Sequence, residues 1–427
     1  MSKNKKLIFV GIIIVLIIGV LFVVWRCSSS LIRENGHSES QLPQATGEQD
    51  GESSNEVAVE SSDSNSTVSV QNNGVATYTV DTSNWDLTKV DIVYDTANVA
   101  VPVPKGYVAS GADGEHTVNT GFVIYEGTGE VTNDNAWDES CTRNQWVWVP
   151  VPDVSRIYET DSNGRKKNKL YNFSDTGRTS YSNSNYEPGV LPNYYDNKKY
   201  FARYGLQGMT KERFLNEMQD EFNETIKSIQ KYGGFWIGRY ETGNLNAEIP
   251  VVQRMNTSIN NQNWYTAYML IQLMNANEKV KTSMIFGCLW DETLQWLVDS
   301  GNKTYADMND STSWGNYSNS AFEYKNTSGS TSTKSASNGT RIPSGSTEYS
   351  KANNIYDMAG NVWDWTLEGY GSNYRWYRGG YYYIGGSGIP ASYRYGYSPV
   401  DSYKQHLRVS CVLIYKVALN TDGDTLG

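Results

Sequence analysis

The residues that could do chemistry are few and scattered. Four cysteines stand at Cys27, Cys141, Cys288 and Cys411, none in a CxxC pair, so no zinc framework is legible. Three histidines, His37, His116 and His406, lie far apart in sequence; a histidine metal site would need long-range convergence. Within "NIYDMAGNVWDWTLEGY" (Asn354 to Tyr370), Asn361 and Asp364 offer hard oxygen atoms three residues apart. The most unusual composition follows directly. "YGSNYRWYRGGYYYIGGSGIPASYRYGYSPVDSY" holds ten tyrosines between Tyr370 and Tyr403, with Gly, Ser and Asn between them. Tyrosine gives a large amphipathic contact at low entropic cost, and the small polar residues add adaptable hydrogen bonding. Tyr381 and Tyr383 would share one face of an extended chain, as would Tyr393, Tyr395 and Tyr397. With Tyr377 these are the candidate ligand-binding residues. The competing reading is that the tyrosines pack a loop-rich core.

Something must hold these residues, and in a particular place. Leu7 to Trp25 is one uncharged apolar run, preceded by Lys3, Lys5 and Lys6. At about 1.5 Å per residue its nineteen or so residues reach roughly 28 Å, close to the hydrocarbon thickness. The preceding lysines predict a cytoplasmic tip and an extracytoplasmic remainder. Ending in Trp25-Arg26-Cys27, the run fits an uncleaved anchor better than a signal peptide, which ends in small residues. Arg26 likewise argues against a lipidated Cys27. Residues 28–75 are rich in Ser, Glu, Asn and Gln and read as a disordered stalk. The net charge of −10 argues against nucleic-acid binding, which needs a basic footprint.

The remaining chain reads as short strands and a few helices. Hydrophobic content is 38% while aromatics reach 13%, so aromatic side chains supply much of the core. "KVDIVYDTANVAVPVPKGY" suits an edge or lead-in strand. "TGFVIYEG", "NQWVWVPV" and "FWIGRYE" read as strands, the second buried on both faces because Trp146 and Trp148 alternate with Val147 and Val149. Phe214, Met218, Phe222, Ile226 and Ile229 form one helical face, with Thr210 as N-cap and Gly233 or Gly234 closing the C-terminus. Further helices are expected over Trp264 to Met274 and in "WDETLQWLVDSG". Arg156 to Tyr200, with Arg165, Lys166, Lys167 and Lys169, reads as a solvated insertion. Asn326 to Thr347 reads as a polar low-complexity loop.

"NIYDMAGNVWDWT" resembles the signature of the formylglycine-generating, or sulfatase-modifying factor, family. "NQWVWVPV", "FWIGRYETGN", "WYRGGYYY" and "HLRVSC" resemble its other blocks in the same order, covering roughly Val101 to Tyr415. A bacterial subgroup with a "VPVPKGY…TGFVI…WVWVPV" lead-in is closer still. The resemblance implies an α+β, modified C-type-lectin-like fold with much irregular structure. That gives a tip and anchor at 1–27, a stalk at 28–75, a lead-in strand segment at 76–104, the family-like domain at 105–416 and a tail at 417–427. It also implies calcium at Asn361 and Asp364, whose oxygens suit that ion; the competing reading makes them turn and hydrogen-bonding residues. Gly360 can supply a positive φ at this kink, and Trp363 and Trp365 are expected on opposite sides, stapling two layers. Oxygen-dependent members use a cysteine pair between the Arg-Gly-Gly block and the final strand, where a thiolate acts as ligand and redox group. Arg378 to Arg408 contains no cysteine, and three scattered histidines do not match the iron-dependent branch. In retroelement-diversified relatives the same segment is the variable ligand surface. The reading is therefore a single-pass cell-membrane protein whose outer domain binds an extracellular glycan or protein through its Tyr-rich surface. The alternatives are an enzyme of the family with altered chemistry and a structural surface protein.

Overall fold

A computed structural model of the chain describes residues 66–70, 76–181, 209–243, 249–257, 263–274, 279–370, 374–400, 407–409 and 411–416. The expected anchor Leu7 to Trp25 lies outside them. Among the described residues, no helix is long and apolar enough to cross a membrane. Most of the expected stalk and the tail also lie outside, but Ser66–Val70 is a strand paired antiparallel with Ala76–Val80.

The architecture is mixed α and β, built from small, mostly antiparallel sheets and few helices. Six strands form the largest sheet in the order Val280–Met284, Cys411–Tyr415, Gly234–Gly238, Gln145–Pro150, Val123–Glu126 and Tyr107–Ala109. Every residue of Gln145–Pro150 is buried, as its large apolar side chains on both faces require. Trp148 lies across from Trp236, their ring centroids 5.0 Å apart. The lead-in segment belongs to this core. Val90–Tyr94 pairs with Ala100–Pro104, Val90, Val101 and Val103 are buried, and the Tyr415 hydroxyl donates to the Pro102 carbonyl.

The Lys211–Tyr232 helix buries Phe214, Met218, Phe222, Ile226 and Ile229. The Thr210 hydroxyl accepts from the Arg213 N–H at 3.1 Å, and Gly233 closes the helix at φ 81°. Trp264–Leu273 is the second expected helix. The third starts earlier than the sequence suggests, at Gly287, and runs to Asp299. It is buried from Gly287 to Leu297, so its ends are not marked by a switch from apolar to polar residues.

Two polar stretches are more ordered than expected. Tyr158–Thr160 pairs with Lys166–Asn168, and Leu170–Ser174 with Gly177–Tyr181; Leu170 and Tyr171 are buried. The remainder of that insertion, from 182, lies outside the described residues up to 208. Phe322–Lys325 and Thr331–Lys334 form a hairpin, and the following Ser344 to Ser346 are buried. Ser344 and Ser350 donate to the buried Asp357 carboxylate at 2.8 and 2.6 Å, which satisfies groups that the local sequence leaves open.

Candidate functional site

The Tyr-rich segment belongs to a second sheet, ordered Tyr395–Tyr397, Tyr374–Arg378, Trp363–Tyr370, Leu407–Val409. The first three strands are antiparallel to their neighbours and the last is parallel to Trp363–Tyr370. Register decides which side chains meet. Trp365 faces Tyr377, and Tyr377 faces Tyr395; residues opposite one another point to the same side. Residues two apart in a strand also share a side, so Trp363 and Trp365 lie together and do not staple opposite layers. Both meet Tyr377, at 6.1 and 4.0 Å between ring centroids.

Trp363 is the hub. Tyr381, Tyr393 and Tyr395 surround it at 5.6, 6.2 and 5.9 Å, besides Tyr377. Tyr397 stacks on Tyr377 at 5.4 Å. Exposure then divides the six candidates. Tyr377 is only 3% exposed and is a core residue, held between Trp365 and Tyr397. Tyr381 and Tyr397 are half-buried. Tyr383, Tyr393 and Tyr395 are 65%, 38% and 47% exposed. Tyr383 continues the patch through Tyr382, which touches Tyr381 edge-on. The structure therefore joins five of the six around one buried indole and its neighbours, and assigns Tyr377 to the floor.

The loop Gly379 to Ile384 is fixed from below. Gly379 and Gly380 take φ of 86° and 78°. The Tyr317 hydroxyl donates to the Gly379 carbonyl at 2.8 Å, and a side chain on Gly380 would collide with the Ile389 carbonyl. Lys334 holds Tyr317 in turn: its ammonium donates to the carbonyls of Tyr317 and Ser320 at 2.6 and 2.7 Å.

On the opposite side lies a buried ionic network, which the sequence reading missed. The Arg378 guanidinium pairs with Asp291 and lies 3.8 Å from Glu368. Arg394 donates through Nε to Glu368 at 2.7 Å, through Nη1 to the Tyr171 carbonyl at 2.9 Å and through Nη2 to Asp291. Beyond Asp291, Glu292 pairs with Arg156 and Arg178 at 3.0 and 3.3 Å, and Arg156 reaches Asp299 at 3.1 Å. Four arginines thus meet four carboxylates. Arg156 and Arg178, read as part of a solvated insertion, are turned inward to it. Burial raises the Glu368 carboxyl pKa, opposed by Arg394 and Arg378. Burial opposes the charge on Arg394, but Asp291 and Glu368 together outweigh it and raise its pKa. The signal available in the sequence was Asp291-Glu292 inside the apolar helix "GCLWDETLQWL", together with three arginines between Tyr374 and Val400, a stretch without Asp or Glu.

Asn361 and Asp364 are both fully buried. Asn361 sits at φ 58° beside Gly360 at 73°. Its Oδ1 accepts from Asn316 Nδ2 and the Ile342 N–H at 2.9 and 3.1 Å. Its amide donates to Glu241 and the Ile342 carbonyl at 2.7 and 3.2 Å. Asp364 lies across from Arg378 in the strand register. A calcium ion bound by Asn361 would have to displace one of the two donors on Oδ1. Among the described residues no group of three or more His, Cys, Asp and Glu gathers as a metal site. The free thiols among them are Cys141 and Cys288; burial raises both thiol pKa values, with Asp291 and Glu368 adding to the effect at Cys288. Cys27 and the Cys411 side chain lie outside the described residues, as do His37 and His406. His116 packs on Phe122 at 4.8 Å.

No protein-family model and no curated protein matches the chain. Among solved structures, Treponema denticola variable protein 1 is similar at 15% identity over 43% of this chain and 88% of that one, with a TM-score of 0.27. A likeness of that size decides neither fold nor function.

Proposed function

We propose that this chain is a recognition protein. Its outer domain has the modified C-type-lectin-like, sulfatase-modifying-factor type of fold, is tethered to the membrane by Leu7 to Trp25, and binds an extracellular glycan or protein through the tyrosine face. The observation that supports this most is the arrangement around Trp363: a buried indole ringed by Tyr377, Tyr381, Tyr393 and Tyr395. Rigid aromatics on a strand platform present contact area that is already ordered, so little is lost on binding. The two glycines at 379 and 380 and the Arg378–Asp291 pair fix that platform from within.

The reading is tested by comparing Tyr393→Ala and Tyr395→Ala with Tyr377→Ala on mixed arrays of glycans and surface-derived peptides. The first two substitutions are expected to weaken capture while stability falls by no more than about 0.5–1.5 kcal/mol, the worth of one aromatic pair. Tyr377→Ala is expected to lower stability further, since its ring is core. Equal loss of stability in all three would make the face a core and remove the proposal.

A further inference from the structure

Register and burial together hide the charges of the recognition segment: Arg378 and Arg394 alternate away from the rings, whereas Arg375, across from Tyr397 on the ring side, is buried. Between Tyr374 and Val400 there is no acidic residue, and the charged residues are Arg375, Arg378 and Arg394. None faces outward with the exposed tyrosines. Arg375 and Arg378 are fully buried; Arg375 stacks on Trp264 at 4.3 Å and donates to the Leu367 carbonyl at 3.2 Å. Arg394 stands between Tyr393 and Tyr395 in sequence, yet its guanidinium goes inward to Asp291 and Glu368 while its neighbours lie against Trp363.

Building on the recognition reading, we infer that the tyrosine face binds an uncharged saccharide chain. Its outward chemistry is aromatic rings and phenolic hydroxyls, with the exposed Ser387 in the same loop; the Ser392 hydroxyl is turned inward and donates to the Met308 carbonyl at 2.7 Å. A pyranose presents the matching pair of surfaces, an apolar C–H face and a rim of hydroxyls. Burial raises the Tyr382 phenol pKa above its ordinary value. An acidic glycan gains nothing here: Arg378 or Arg394 would have to leave Asp291 and Glu368, and a buried carboxylate stripped of its cation is strongly destabilising. Protein partners commonly use a charged, polar rim for steering and register, and among the described residues Tyr374 to Val400 display no outward charge. Arg341 bears electrostatically on Tyr382; binding that needed it would be salt-dependent.

The experiment uses the full chain in detergent, probed with neutral oligosaccharides of hexose and N-acetylhexosamine, their sialylated and sulfated counterparts, and uncharged aromatic or proline-rich peptides. Neutral saccharides are expected to bind, with Kd changing by less than about twofold between about 0.1 M and about 1 M salt. Tyr393→Ala and Tyr395→Ala are each expected to weaken them by about tenfold or more, and Arg341→Ala by less than about twofold. Preference for the acidic counterparts, a steep salt dependence, or no capture of any neutral saccharide overturns the inference. Peptide capture that still depends on Tyr395 would overturn it while leaving recognition standing. Tyrosine variants that alter capture of no probe at all would end both.

Discussion

Trp363 is 7% exposed because tyrosines cover it, whereas Trp365 is enclosed completely. Replacing either with Ala removes a large buried aromatic, which costs roughly 3–5 kcal/mol out of the roughly 5–15 kcal/mol that holds a domain together. Both variants are expected to unfold at much lower urea concentration. Near-wild-type melting of the pair would show that the motif does not anchor the sheet. Lys334 allows a second test at this scale. Its side chain is almost wholly covered and burial lowers its pKa to about 8. The unfolded chain therefore binds more protons than the folded one between pH about 8 and about 10.4, and stability contributed at this position rises with pH across that window. Relative to Lys334→Met, wild type should gain stability from pH about 7 to pH about 9.5, read by urea unfolding of both proteins at each pH. A constant or shrinking difference would mean that the ammonium is not disfavoured by its surroundings.

Elements divide into those whose determinants are local and those whose determinants are distant. The Lys211–Tyr232 helix was legible because Phe214, Met218, Phe222, Ile226 and Ile229 repeat at helical spacing between a Thr cap and a Gly stop. Gln145–Pro150 and Gly234–Gly238 were legible from their dense aromatic and β-branched residues. The Gly360-Asn361 kink was legible as well, since both residues take positive φ. The buried carboxylates were not. Asp291 is separated by 87 residues from Arg378 and by 103 from Arg394, and burial of a charge depends on that remote partner. The same holds for Glu221, whose carboxylate accepts from the Tyr268 hydroxyl at 2.8 Å. The two faces of the Tyr-rich sheet were half legible: period two indicated which tyrosines align, but not that the arginines between them turn inward. A double-mutant cycle measures what that inward turn contributes. Arg394→Met leaves Asp291 and Glu368 short of a cation and is expected to cost about 3–5 kcal/mol. Adding Glu368→Gln should recover about 0.5–3 kcal/mol of it as coupling. Strict additivity would show that Arg394 and Glu368 do not act as a pair.

For the molecule as a whole, the sharpest question is where the folded domain begins. The resemblance of "VPVPKGY…WVWVPV" to family blocks invites a boundary near residue 105, with 76–104 as a mere approach. The packing says otherwise. Tyr78 and Trp85 are buried in the one hydrophobic core, and the Trp85 ring lies 6.1 Å from that of Tyr232. The Lys89 ammonium donates to the Lys416 carbonyl, and Tyr415 holds Pro102. The first and last parts of the domain therefore close on one another, and the described core begins by Ala76. A chain starting at Ala58 should unfold in one cooperative transition, with a midpoint matching that of the full-length protein in detergent. A chain starting at Lys105 loses the cover over Tyr232 and Tyr415 together with several fully buried side chains, each worth roughly 1.5–3 kcal/mol. Val90, Val101 and Val103 alone would account for a large part of a domain's usual stability. The shorter chain is expected to be insoluble or to show the loose packing of a collapsed state, with native-like far-ultraviolet but lost near-ultraviolet circular dichroism. A cooperative, full-height transition from the Lys105 chain would mean that the lead-in strands are appended to the domain and not part of its core.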